Sequence, residues 1–106
     1  MALTRNFKDT IVEEVESNPD FRKALFEEAV NAMLCGDIDV GKAVLKNYIN
    51  ATVGFEELAT VTEKSSKSLH RMFGPSGNPT AKNLFKILEH LQQKEGSQLQ
   101  VRFVHK

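Results

Sequence analysis

Two short stretches with helical spacing, residues 55–61 and 65–73, are separated by only three residues. Two helices joined by a turn of about three or four residues pack across each other at roughly 90 to 120°. Such a pair needs small or apolar residues on the faces that meet, and four residues are spaced to face inward here: Leu58, Ala59, Leu69 and Met72. This pattern predicts a helical bundle that contains a helix-turn-helix.

Periodic apolar residues predict three helices before this pair. The first covers roughly residues 4–16 and the second roughly residues 19–34. The third begins after Asp37 or Asp39, either of which can serve as an N-cap, and it ends at Gly54. The N-terminal half of the chain is therefore expected to be helical throughout.

Two further elements are predicted after the helix-turn-helix. Residues 74–79 form a loop rich in glycine and proline, and Thr80 is well placed to cap a last helix behind it. Residues 98–104 alternate apolar and polar side chains, which is typical of a strand. The expected fold class is all-α, with a short β-strand at the C-terminus.

The length of 106 residues favours a single domain. We divide it into an N-terminal helical extension at 4–36, a helix-turn-helix core at 37–95 and the strand at 98–104. No apolar run approaches the roughly 18 residues that span a bilayer, and the N-terminus lacks the apolar region of a signal peptide. A cytoplasmic protein is therefore expected, in which the single Cys35 acts as a small buried apolar residue near a helix end.

The net charge is zero, but the charges are unevenly distributed. Residues 1–63 sum to −6, residues 64–86 to +5 without a single acidic side chain, and residues 87–106 to +1. The middle segment forms a basic island of five residues: Lys64, Lys67, Arg71, Lys82 and Lys86. Basic side chains supply most of the affinity of a protein for DNA, so the island indicates a nucleic-acid surface. An ordinary solvated helix face is the alternative.

The outward face of the second helix of the pair carries hydrogen-bond donors suited to phosphates and base edges. They are Ser66, Lys67, Ser68, His70 and Arg71. In a helix-turn-helix this face enters the major groove. Ser65, just before the helix, is predicted to cap it and to lie at the DNA surface, where the helix N-terminus offers backbone N–H groups to a phosphate.

Individual roles follow from side-chain chemistry. Phosphate contacts are predicted for Lys64, Lys67 and Lys82, and base contacts for Arg71, Ser66 and Ser68. Asn78 and Thr80 either touch the DNA backbone or stabilise the loop and the helix cap. His70 is expected to be a solvent-facing helix residue rather than a ligand or a base.

Four stretches carry a resemblance to a known family: NYINAT at 47–52, GFEELA at 54–59, KSSKSLHRM at 64–72 and GPSGNPTAKNLF at 74–85. The helix-turn-helix resembles that of lambda-repressor-like regulators. More specifically, residues 4–104 resemble the addiction-module antidote or DNA-binding prophage protein family. The resemblance implies a lambda-repressor-like bundle, commonly dimeric, that binds operator DNA as an antitoxin or as an autorepressor of a toxin–antitoxin operon.

Two residues depart from the family pattern. Glu63 stands where the turn usually has glycine, and a left-handed backbone there costs a non-glycine residue about 1 kcal/mol. Lys64 stands at an often apolar position, so its side chain is expected to extend outward.

Catalysis is not expected, because the sequence shows no nucleophile with a base and no cluster of metal ligands. No cofactor is expected either. The rival to DNA binding is a protein-interaction module that neutralises a toxin or scaffolds a partner. A lone strand needs a partner strand, and Leu99, Val101 and Phe103 could pair with a second copy of the chain or with the sheet edge of a toxin.

Overall fold

The computed structural model describes residues 18–105, and within this range the protein is all-helical. Five helices follow one another: α1 Pro19–Leu34, α2 Ile38–Ala51, α3 Gly54–Thr62, α4 Ser66–Met72 and α5 Ala81–Glu95. The helix predicted at 4–16 lies outside the described residues. The all-α prediction is confirmed for the part of the chain that is described.

The core lies where α1 packs along α2 and where α3 contacts α2, α4 and α5. Its buried apolar side chains are Phe26, Ala29, Leu45, Tyr48, Ile49, Phe55, Leu58, Leu69, Phe73, Ile87, Leu88 and Leu91. Gly41 allows α1 and α2 to approach closely, because an added Cβ would lie 3.0 Å from the carbonyl oxygen of Ala29. The bundle therefore buries residues from all five helices around the helix-turn-helix.

Most predicted helix bounds agree with the structure, and one differs. Gly36 follows α1 with φ +89°, the left-handed conformation that favours glycine. The third predicted helix was expected to end at Gly54, whereas α2 ends at Ala51 and Gly54 begins α3. Gly54 has φ +80°, so it turns the chain between the two helices rather than ending the first.

Two predictions are not met in the described chain. Residues 97–105 are neither helix nor strand, so the strand expected at 98–104 is not found. A strand is held by hydrogen bonds to a second strand, and residues 18–105 contain none. Cys35 is exposed instead of buried, because it follows the last turn of α1 where the chain leaves the core.

Candidate nucleic-acid interface

The two helices predicted to form the helix-turn-helix correspond to α3 and α4, which are separated by residues 63–65. Leu58 and Leu69 are fully buried, while Ala59 and Met72 are partly buried against the core. These are the four residues that the sequence placed on the inner faces of the pair. The inward packing of the motif is confirmed.

The turn between α3 and α4 has a left-handed backbone at Glu63, a conformation that is energetically costly for a non-glycine residue. Glu63 has φ 58° and ψ 30°, and it is the one non-glycine residue with positive φ between residues 18 and 105. Thr62 precedes it, is buried, and donates its hydroxyl to the carbonyl oxygen of Leu58 at 2.8 Å. Sequence reasoning gave Thr62 no role, yet its hydrogen bond holds the last turn of α3 in front of the strained residue.

Ser65 caps α4 as predicted. Its backbone is extended, with φ −72° and ψ 153°, and its side-chain oxygen accepts a hydrogen bond from the backbone N–H of Ser68 at 3.0 Å. A short polar side chain at this position satisfies a donor that the helix itself leaves unpaired. The start of α4 is therefore fixed by one side chain.

The outward face of α4 is open to solvent. Lys64, Lys67, His70 and Arg71 are exposed, whereas Ser66 and Ser68 are half-buried. Lys64 extends outward, as expected of a charged side chain at this position. The His70 ring packs on Phe55, with ring centroids 4.2 Å apart. Among the predicted base contacts, Arg71 is thus the most accessible.

The five residues of the basic island are all exposed on α4, the turn before it and α5. None of them forms an ion pair with a carboxylate of the described chain, whose ion pairs involve Arg22, Lys42, His90 and Lys94 instead. Their charges are consequently free to neutralise phosphates.

The loop between α4 and α5 is anchored by Lys42, a residue of α2 that is only 3% exposed. Its ammonium donates hydrogen bonds to the carbonyl oxygens of Gly74 at 3.0 Å and Gly77 at 2.6 Å. It also lies 3.4 Å from Oδ1 of Asn78. The Asn78 side chain therefore supports the loop, which is one of the two roles predicted for it.

Thr80 likewise has a structural role. Its hydroxyl oxygen accepts a hydrogen bond from the backbone N–H of Asn83 at 3.2 Å, as expected of the N-cap of α5. Lys82 and Lys86 follow in the first turns of α5, both exposed. The cap therefore fixes the start of the helix that presents the remaining basic residues.

A buried carboxylate joins three helices on another part of the molecule. Arg22 of α1 donates from Nε to the two carboxylate oxygens of Glu95 at 2.9 and 2.7 Å, and the Tyr48 hydroxyl of α2 donates to the same carboxylate. The Glu95 side chain is 5% exposed. Burial, followed by this hydrogen bond, raises the pKa of Tyr48 above its usual range, so the phenol remains a donor.

A second polar cluster ties α3 to α5. Glu57 lies 2.5 Å from His90 Nε2 and 3.3 Å from Lys94 Nζ. The hydrogen bond with His90 is the main reason that the pKa of Glu57 is held below its ordinary value. Sequence reasoning missed both polar clusters, because their members come from helices far apart in the chain.

The C-terminal tail, residues 97–105, is held only at its start. Leu99 packs partly against the core, and its backbone N–H donates to the side chain of Gln92 at 2.8 Å. Val101 is 80% exposed and Phe103 is fully exposed. Of the three residues predicted to contact a partner, Leu99 packs on this chain, whereas Val101 and Phe103 protrude from it.

No helix of residues 18–105 is long and apolar enough to cross a membrane. Comparison with protein-family models, with curated proteins and with solved structures finds no match to this chain.

Proposed function

We propose that this protein is a sequence-specific DNA-binding transcriptional regulator with a lambda-repressor-like helix-turn-helix. One observation carries the proposal. The outer face of α4 exposes Lys67, His70 and Arg71 beside Lys64, with no carboxylate of the described chain paired to these residues, while Leu69 on the inner face is fully buried. An exposed basic helix on a buried support is the arrangement that major-groove recognition requires.

Within this proposal the basic residues divide by role. Lys64, Lys67 and Lys82 contact phosphates and position the protein, whereas Arg71 reads a base edge. An arginine can donate two hydrogen bonds to O6 and N7 of guanine, and no lysine at a phosphate conveys sequence information. Ser66 and Ser68 are half-buried, and they contact base edges at the border of the surface that Arg71 presents.

The resemblance of the sequence to addiction-module antidotes refines the proposal. Such a regulator acts in the cytoplasm as an antitoxin-like autorepressor of a toxin–antitoxin operon. It has no enzymatic activity of its own and uses no cofactor. Its operator is then expected to lie upstream of its own gene, which supplies a defined duplex for testing.

The proposed regulator is a homodimer joined through its C-terminal tail. The exposed Val101 and Phe103 would pair with the same residues of a second copy, so that two tails form the ribbon that one tail cannot form alone. A dimer also presents two copies of α4 to half-sites about one DNA turn apart. Chains that lack residues 98–106 should sediment as monomers, and a dimer of unchanged stability would exclude this role for the tail.

The second candidate function is a protein-interaction module that binds a toxin without binding DNA. The same exposed Val101 and Phe103 favour it, because a tail with protruding apolar residues can add a strand to the sheet edge of another protein. Under this alternative the basic face of α4 has no specific role. Substitutions on α4 therefore separate the two functions.

The deciding experiment is fluorescence anisotropy with the duplex upstream of the gene and with a scrambled duplex, at low and moderate salt. Arg71→Glu should weaken binding roughly 5- to 150-fold, since one good base contact is worth about 1 to 3 kcal/mol. Lys67→Glu should weaken binding to both duplexes, because it removes a phosphate contact. Lys23→Glu is the matched control, because it makes the same change of charge at an exposed site on α1.

The salt dependence gives an independent readout. Three lysine–phosphate contacts in each protomer of a dimer predict a slope of log K against log salt of roughly −5. If the wild-type protein binds its own upstream duplex no better than the scrambled one, DNA-specific regulation is excluded and the interaction module becomes the leading function.

A further inference from the structure

Lys42 is a buried cation whose role in the proposed interface is not direct contact with DNA. The side chain extends from α2 and is 3% exposed. An ammonium group is costly to remove from water unless hydrogen bonds replace its hydration. Lysine has three N–H donors, and its hydrogen-bond acceptors here are the oxygens of Gly74, Gly77 and Asn78, while the exposed Asp39 carboxylate lies 3.8 Å away.

All three acceptors belong to the loop that follows α4. Gly77 N–H donates to Gly74 O at 3.3 Å, which closes the turn whose two carbonyls face Lys42. The contacts with Lys42 span 32 to 36 residues of sequence. A single side chain from α2 therefore ties this loop to a helix that is distant in the sequence.

The loop is in turn pressed against Arg71. Gly74 N–H donates to the Arg71 carbonyl oxygen at 3.1 Å. Gly77 lies so close to this residue that an added Cβ would overlap its carbonyl oxygen. A continuous set of contacts thus runs from the Lys42 ammonium through Gly74 and Gly77 to the backbone of the arginine that the proposed function assigns to base reading.

We propose that Lys42 is a positioning residue of the DNA interface, which fixes the direction of Arg71 by holding the 74–78 loop against the last turn of α4. The proposal rests on the proposed DNA-binding function. It assigns to Lys42 an effect on the selectivity between DNA sequences. A lysine acting by charge would instead change the affinity for all sequences alike.

The test compares Lys42→Met with Lys46→Met. Methionine keeps most of the apolar length of the lysine but has no donor and no charge. Removing one partner of a set of buried hydrogen bonds leaves the other partners unpaired and lowers stability, so the fraction of folded protein is measured for each variant. Lys46 lies one turn further along α2 and has no contact with the loop among the described hydrogen bonds and ion pairs, so its substitution removes the same charge without releasing the loop.

Three quantities are measured for each variant by anisotropy titration. They are the active fraction at stoichiometric concentration, the Kd for the upstream duplex and the Kd for the scrambled duplex. A merely structural role lowers the active fraction and leaves the Kd of the folded molecules unchanged. For Lys42→Met we expect the folded molecules to bind the upstream duplex roughly 5- to 150-fold more weakly, as for the loss of one base contact, with little change in the Kd for the scrambled duplex.

The outcomes distinguish a failure of the positioning role of Lys42 from a failure of the DNA-binding function. Wild-type selectivity in Lys42→Met, or an equal loss for both duplexes that Lys46→Met reproduces, overturns the positioning role. A wild-type protein without selectivity overturns the DNA-binding function itself. If Lys42→Met does not fold, Lys42→Gln decides by the same readouts, because its shorter side chain keeps two donors yet cannot reach the loop in the same geometry.

Discussion

The tight contact between Gly77 and the end of α4 predicts that Gly77→Ala is strongly destabilising. An alanine Cβ would overlap the Arg71 carbonyl oxygen and lie 2.8 Å from its carbonyl carbon and 3.1 Å from Met72 Cα, whereas ordinary contacts begin at 3.4 Å. Every one of these neighbours is backbone, so no side chain can move aside. Forcing extra volume into such a site costs about 1 to 3 kcal/mol. We expect a loss of stability near the upper end of this range, because the hydrogen bond from Lys42 to the Gly77 carbonyl oxygen restrains Gly77 from moving away from α4.

The assay is urea denaturation followed by circular dichroism. With the m-values of about 1 to 3 kcal/mol/M that small domains have in urea, a loss of about 3 kcal/mol lowers the midpoint by roughly 1 to 3 M. Gly74→Ala is the matched control in the same loop, because its Cβ would lie 3.4 Å from the Arg71 oxygen and 3.6 Å from that of His70. It should stay within about 1 kcal/mol of the wild type. Equal midpoints for the two variants would refute the steric argument.

Three further substitutions test polar contacts. Tyr48→Phe removes a donor to the buried Glu95 carboxylate, and urea denaturation should show a loss of roughly 1.5 to 3 kcal/mol. Ser65→Ala removes the cap of α4 and should cost about 1 kcal/mol in the same assay. Because the hydrogen bond with His90 lowers the pKa of Glu57, its charged form stabilises the fold above the ordinary carboxyl pKa. Glu57→Gln should therefore be less stable than the wild type at pH 7, by up to about 1 kcal/mol, and this difference should vanish as the pH falls through the lowered pKa. A difference that persists at pH 2 would contradict this origin.

The helix-turn-helix could be predicted because its determinants are close together in the sequence. Leu58 and Leu69 follow helical spacing, and Ser65 stands directly before the stretch that it caps. Even the left-handed Glu63 could be anticipated, because the family that the sequence resembles usually has glycine at this turn position. Local periodicity and capping chemistry need no knowledge of the rest of the fold.

The contacts that hold the bundle together could not be predicted in the same way. Arg22 and Glu95 are 73 residues apart, and neither differs in type from the solvated charges around it. Lys42 belongs to a helix whose polar positions look like an ordinary exposed face, and only the folded chain brings the loop carbonyls to it. The burial predicted for Cys35 is wrong for a different reason. Its apolar character favours burial, but its place after the last turn of α1 exposes it.

Because α4 is short, its surroundings determine its place in the fold and therefore the proposed DNA recognition. A helix of seven residues is not stable by itself in water, so packing and end contacts must fix both its existence and its direction. Leu69 fixes the inner face, Ser65 the start, and the loop held by Lys42 the end. Tyr48, on the same helix as Lys42, joins the buried cluster with Glu95. Helix α2 carries no predicted DNA contact, yet it connects the end of the proposed reading helix to the polar cluster that joins α1 and α5. The direction of Arg71 therefore depends on a helix that would never touch the DNA.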